Sequence, residues 1–123
     1  METIFRICLF IAGVINFIPS ILAFLPNKIS ESYGITIPDA NYELLLRHRA
    51  ILFGLVGGLM IFSALSKKHY NLAFVIGMIS MVSFLILFKL VSGDVNSELE
   101  KVMKIDIVGI IILLLGYGLY KLN

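Results

Sequence analysis

Glu43-Leu44-Leu45-Leu46-Arg47-His48-Arg49-Ala50-Ile51-Leu52-Phe53-Gly54-Leu55-Val56-Gly57-Gly58 decides how the rest of the chain is read. The apolar run continues to Leu65, which makes Leu44–Leu65 long enough to cross the roughly 30 Å hydrocarbon core of a bilayer. Two arginines and a histidine stand in the mouth of that run. Charge at membrane depth is costly, so an ionisable cluster there marks a candidate functional site.

Three further stretches have the same character: Ile4–Leu25, Tyr70–Val91 and Leu99–Tyr120. Each is apolar around most of its circumference, as a lipid-embedded helix must be. Extended strand-type alternation is absent, which argues against a β-barrel. Composition agrees. The 123 residues are 59% hydrophobic and only 15% charged, with a mean hydropathy of +1.00. A water-soluble domain of this size could not bury that much apolar surface. The expected fold is therefore all-α: an integral membrane four-helix bundle with spans near 4–25, 44–65, 70–91 and 99–120, forming one domain over 1–123.

The connections carry their own signals. Pro26-Asn27 ends the first span because proline cannot donate to a continuing helix. Pro38-Asp39 opens the second, with Asp39 as N-cap. Ser66-Lys67-Lys68-His69 is a tight basic turn, and Ser92-Gly93-Asp94 closes the third span. Ser97-Glu98-Leu99-Glu100 reads as a capping box for the fourth, with Glu100 and Lys104 as an i,i+4 pair. The segment from Pro26 to Pro38, carrying Ile29, Tyr33, Ile35 and Ile37, suits either the bilayer surface or a lid over one bundle end. The first 24 residues resemble a signal peptide, but Glu2 weakens the basic n-region and Ile21 is bulky for the −3 position of a cleavage site. They read as a retained span. Lys67-Lys68, Arg6 and Lys121 favour both termini in the cytoplasm of a bacterial inner membrane.

At about 1.5 Å of rise per residue, Arg47 lies roughly 27 Å from the Lys67 end, Lys89 about 29 Å, Asp106 about 21 Å and Asn16 about 18 Å. All four helices thus bring a polar group to the same half of the bilayer. On the helical wheel Glu43, Arg47, Ala50, Gly54 and Gly57/Gly58 share a small-residue stripe, which points Arg47 at the bundle. Arg49 lies about 200° from it and is expected to snorkel to the headgroups. Ala12, Gly13, Asn16, Ser20 and Ala23 form a similar stripe, as do Asp106, Gly109, Leu113 and Gly116.

These placements make Arg47 the anion anchor, Asp106 its counter-charge and Asn16 and His48 orienting groups. Glu43 is expected beside Arg47, and Lys89 at the rim, a greasy face that also suits simple snorkelling. Gly13, Gly54, Gly57, Gly58 and Gly109 are the expected helix-packing positions. Excess basic charge favours a pocket that binds or passes an anionic small molecule or lipid headgroup, since guanidinium grips phosphate and carboxylate in a fork. An assembly subunit docking through glycine faces, onto a partner or another copy, is the alternative. A membrane enzyme on a lipid-linked substrate comes third.

Other classes are disfavoured. A net charge of +2 with scattered basic residues does not suit nucleic acid. No nucleotide-binding, hydrolase or zinc-protease motif occurs, so no cofactor is expected. His48 and His69 belong at opposite ends of the second span, and the lone Cys8 cannot form an intramolecular disulfide. Tyr117 and Tyr120 read as interfacial belt aromatics.

The chain resembles a group of uncharacterised small bacterial proteins with four spans. The resemblance rests on Asn16-x-x-Pro19, on Leu25-Pro26 followed by Tyr33-Gly34-Ile35, and on Leu46-Arg47-His48-Arg49-Ala50 leading to Phe53-Gly54-x-x-Gly57-Gly58. It implies a four-helix membrane fold and no particular activity. Some similar sequences bear the label phosphopantetheine adenylyltransferase, but the nucleotide-binding H-x-G-H pattern of that soluble enzyme family is missing here. In size the chain also resembles small multidrug transporters and fluoride channels. The transporters' membrane-embedded glutamate has no counterpart in the first span, nor do the fluoride channels' glycine-rich arginine motifs match.

Overall fold

A computed structural model describes residues 1–91, 93 and 95–122. Among the described residues the fold is helical without strands: α1 (Glu2–Phe17), α2 (Pro26–Tyr33), α3 (Ala40–Ser66), α4 (Tyr70–Leu90) and α5 (Ser97–Leu122). Four segments are long and apolar enough to cross a membrane: α1 with its continuation to Ala23, α3, α4 and α5. Their outer surfaces are studded with exposed large apolar side chains, Leu55, Leu65, Ile79 and Leu115 among them. Such continuous apolar cover suits lipid and not water. The chain is a four-helix bundle with the character of an integral membrane protein.

The first span changes geometry before it ends. From Ile18 to Ala23 it tightens into a 3-10 helix. Pro19 is the cause: it lacks an N–H, and its ring collides with the carbonyl four residues back in a continuing α-helix. The regular span through to Leu25 expected from the sequence is cut short there.

Asp39 caps α3 as expected, its Oδ1 accepting from the backbone N–H of Asn41 and Tyr42. The capping residue of α5 is Asn96, one position earlier than Ser97: its Oδ1 accepts from Leu99 N at 2.9 Å. The same side chain donates through Nδ2 to the carbonyls of Tyr33 and Gly34, at 2.8 and 3.0 Å. One asparagine thus starts α5 and moors α2, and both are gains that a capping box from Ser97 would not deliver. On this helix the ion pair joins Glu98 to Lys101 instead of Glu100 to Lys104. Ser92 and Asp94, expected to close the third span, lie outside the described residues.

Of the two settings expected for the segment after Pro26, the structure adopts the lid. Ile29 and Tyr33 are buried, and α2 stops at Gly34 in the left-handed conformation (φ 63°) that glycine tolerates without penalty.

Around the bundle, α1 packs against α3 and α5, and α4 packs against both of these from the far side. The backbones of α3 and α5 do not approach one another; they occupy opposite corners. The core between the four runs through Phe5, Leu9, Ala12, Met60, Ala73, Met81 and Leu113. Tyr117 and Tyr120 belong to this packing. Tyr120 stacks on Phe5 at 5.2 Å and Tyr117 on Phe74 at 3.8 Å, so both tie helices together at the Lys67 end.

Glycines set the closest crossing. A Cβ on Gly57 would stand 2.5 Å from both the Gly13 carbonyl oxygen and the Phe17 nitrogen, and one on Gly54 would meet Ser20 at 2.8 Å. Gly13 and Gly109 are filled against less closely, by the side chains of Ile61 at 2.9 Å and Met81 at 2.8 Å. Gly58 faces open space and is no packing position within the chain, contrary to expectation. Its neighbours Gly54 and Gly57 are used inside the molecule, against the first span.

Candidate functional site

Two arginines clip the first span to α3. Arg6 Nε donates to the Ala64 carbonyl and Arg47 Nε to the Ala23 carbonyl, each at 2.7 Å. Both acceptors lie at helix C-termini, where the last carbonyls have no intrahelical partner and the dipole favours positive charge. Glu43 sits one turn before Arg47, with Oε2 3.9 Å from Nη1. This accounts for Arg47. It is a helix clip at one end of the bundle, and the expected pairing with Asp106 does not form.

The reason lies in what the glycine stripe faces. Gly54 and Gly57 press on the first span, not on the bundle axis, so Arg47 on the same stripe reaches the end of that span. The inward stripe of α3 is Arg49, Phe53, Val56 and Met60, spaced i, i+4, i+7 and i+11. Met60 is fully buried and Val56 packs on the core. Arg49 therefore turns inward, the reverse of the expected snorkelling. That four-residue periodicity was the available signal, and the small-residue stripe outweighed it.

Arg49 opens onto a cavity of about 340 Å³ lined by Ile15, Asn16, Ile18, Pro19, Tyr33, Phe53, Val102, Ile105 and Asp106. Its guanidinium carbon stands 4.5 Å from the centre of the Phe53 ring and 5.3 Å from that of Tyr33. Nη1 donates to the Tyr33 hydroxyl at 2.9 Å. Aromatic faces attract a desolvated cation, which offsets part of the cost of taking it from water.

Asn16 is buried and held on both sides of its amide. Its Nδ2 donates to the Ala12 carbonyl at 2.9 Å, and its Oδ1 accepts from Ser80 Oγ at 3.1 Å. It forms a fixed polar wall. Asp106 is 7% exposed and borders the same space. Among the described residues neither an ion pair nor a hydrogen bond from another side chain reaches its carboxylate.

The structure thus unites Asn16 and Asp106 and adds Arg49, Tyr33 and Phe53. Arg47, Glu43, His48 and Lys89 are not in the lining. His48 and Lys89 are both exposed. Instead of excess positive charge, the wall carries one guanidinium and one carboxylate, on helices at opposite corners of the bundle. Among the described residues, no group of three or more His, Cys, Asp or Glu gathers as a metal site would require. Set against protein-family models, curated proteins and solved structures, the chain matches none, and the geometry of the cavity is what a functional reading rests on.

Proposed function

We propose that this cavity binds the anionic head of an amphipathic molecule inside the membrane, with Arg49 in the anchoring role that the sequence reading gave to Arg47. One observation carries the reading. A guanidinium sits about 25 Å from the Lys67 end of α3 (17 residues at about 1.5 Å each), bonded to a single tyrosine hydroxyl and facing an otherwise largely apolar chamber. Guanidinium has five N–H donors in a fork that matches carboxylate and phosphate, so the tyrosine leaves most of its capacity to a guest. The apolar walls suit a hydrocarbon chain. Ile18 and Ile105, 57% and 50% exposed, mark a mouth between the first span and α5 that opens sideways to the lipid. On this reading the protein resides in a bacterial inner membrane with both termini cytoplasmic and the cavity in the opposite half.

The test is titration of the detergent-purified protein with short-chain phosphatidylglycerol, read by calorimetry. Loss of a charge-assisted contact costs about 1.5–3 kcal/mol, so Arg49→Gln is expected to weaken binding at least tenfold. Arg47→Gln is expected to bind as the wild type does while melting earlier. Equal affinity in wild type and Arg49→Gln refutes the reading.

A further inference from the structure

We infer that the guest of the cavity is a zwitterion: a phosphate or carboxylate that also carries a primary ammonium group, as an aminoalkyl phosphate does. The inference rests on the reading of Arg49 as the anion site and adds a second pole to it. Asp106 is the observation behind it. This carboxylate is more than nine-tenths buried, borders the cavity, and meets no ion-pair partner among the described residues. Keeping such a carboxylate charged without a partner is expensive, and a cation arriving with the ligand would offset that cost.

Arg49 acts on Asp106 only from across the cavity and does not pair with it. It stands on the other wall, held by the Tyr33 hydroxyl and the Phe53 ring. Asn16 offers the guest's ammonium a neutral acceptor at most, since its carbonyl oxygen already accepts from Ser80 and keeps one lone pair. A purely anionic guest would satisfy Arg49 and leave Asp106 facing negative charge across an apolar space. An ammonium has three donors for the carboxylate, whereas a trimethylated amine has none. The site therefore distinguishes three head groups that share one phosphate.

The experiment uses the full chain in detergent and four probes: dihexanoyl phosphatidylethanolamine, the corresponding phosphatidylglycerol and phosphatidylcholine, and free phosphoethanolamine. The ethanolamine lipid is expected to bind at least tenfold tighter than either of the other two. Asp106→Asn is expected to abolish that preference, weakening ethanolamine-lipid binding and tightening that of phosphatidylglycerol, and Asp106→Glu to retain it. Phosphatidylglycerol binding that depends on Arg49, equal to or tighter than ethanolamine binding, overturns the zwitterion and leaves the anion site standing. No binding of any probe overturns both. Free phosphoethanolamine binding as tightly as the lipid identifies a soluble zwitterion as the guest, and much weaker binding identifies a lipid; either result keeps the second pole. Should Asp106→Asn fail to fold, the order of the head groups on the wild type decides alone.

Discussion

At the scale of single residues, three arginines divide between two kinds of work. Arg6 and Arg47 spend their guanidinium groups on orphan carbonyls at the ends of helices, while Arg49 turns to a cavity. The first two are therefore expected to govern stability. Arg6→Gln and Arg47→Gln should each lower it by about 1–2 kcal/mol, a charge-assisted hydrogen bond discounted for partial exposure. The double variant should lose close to the sum, since the two clips sit at opposite ends of the first span. Denaturant titration in mixed micelles measures this. A loss in the double variant no larger than in either single one would show that the clips are not independent. Arg49→Gln should separate from both by impairing ligand affinity more than folding.

At the scale of elements, the crossing of the first span over α3 is fixed by backbone atoms, and that makes it intolerant. Gly57→Ala would set a methyl group 2.5 Å from the Gly13 carbonyl oxygen, with no flexible side chain to yield. Overpacking of this kind costs about 1–3 kcal/mol. Gly58→Ala, next to it but facing open space, is expected to be neutral or to stabilise by up to about 1 kcal/mol through helix propensity alone. Thermal unfolding of the pair compares them directly; similar melting points would contradict the close crossing. The four spans were legible in the sequence because an apolar run of some twenty residues has few other fates. Asp39 was legible too, as an acid directly after a proline at a helix start. Less so was Asn96, whose value comes from Tyr33 and Gly34, more than sixty residues away. Pro19 was visible, but its effect is masked by a span that stays apolar to its end. The facing of α3 failed for a physical reason: small residues mark where a helix is approached closely, which need not be the bundle centre.

Considered as a whole, the molecule is dressed for hydrocarbon. Leu55, 64% exposed near the middle of α3, should sit in the bilayer interior. An arginine there costs about 2.5–3.5 kcal/mol on insertion scales. Leu55→Arg is expected to reduce the amount recovered in membranes several-fold, whereas Leu44→Arg, near the start of α3 and 69% exposed, should be tolerated. Equal recovery of the two would mean that this surface does not face lipid. What the whole molecule adds to the candidate site is its diagonal arrangement. Asn16 and Asp106 could be grouped from depth along their helices alone. Pairing them with Arg49 required knowing which helices stand at opposite corners, and that is set by the packing of all four.

The same diagonal has a mechanical side. Since the backbones of α3 and α5 do not meet, the separation of Arg49 and Asp106 is set by way of α1 and α4. Gly116 seats α5 against Cys8 of α1, and Gly109 seats it against Met81 of α4. Any change in the width of the chamber must therefore be carried through those two contacts.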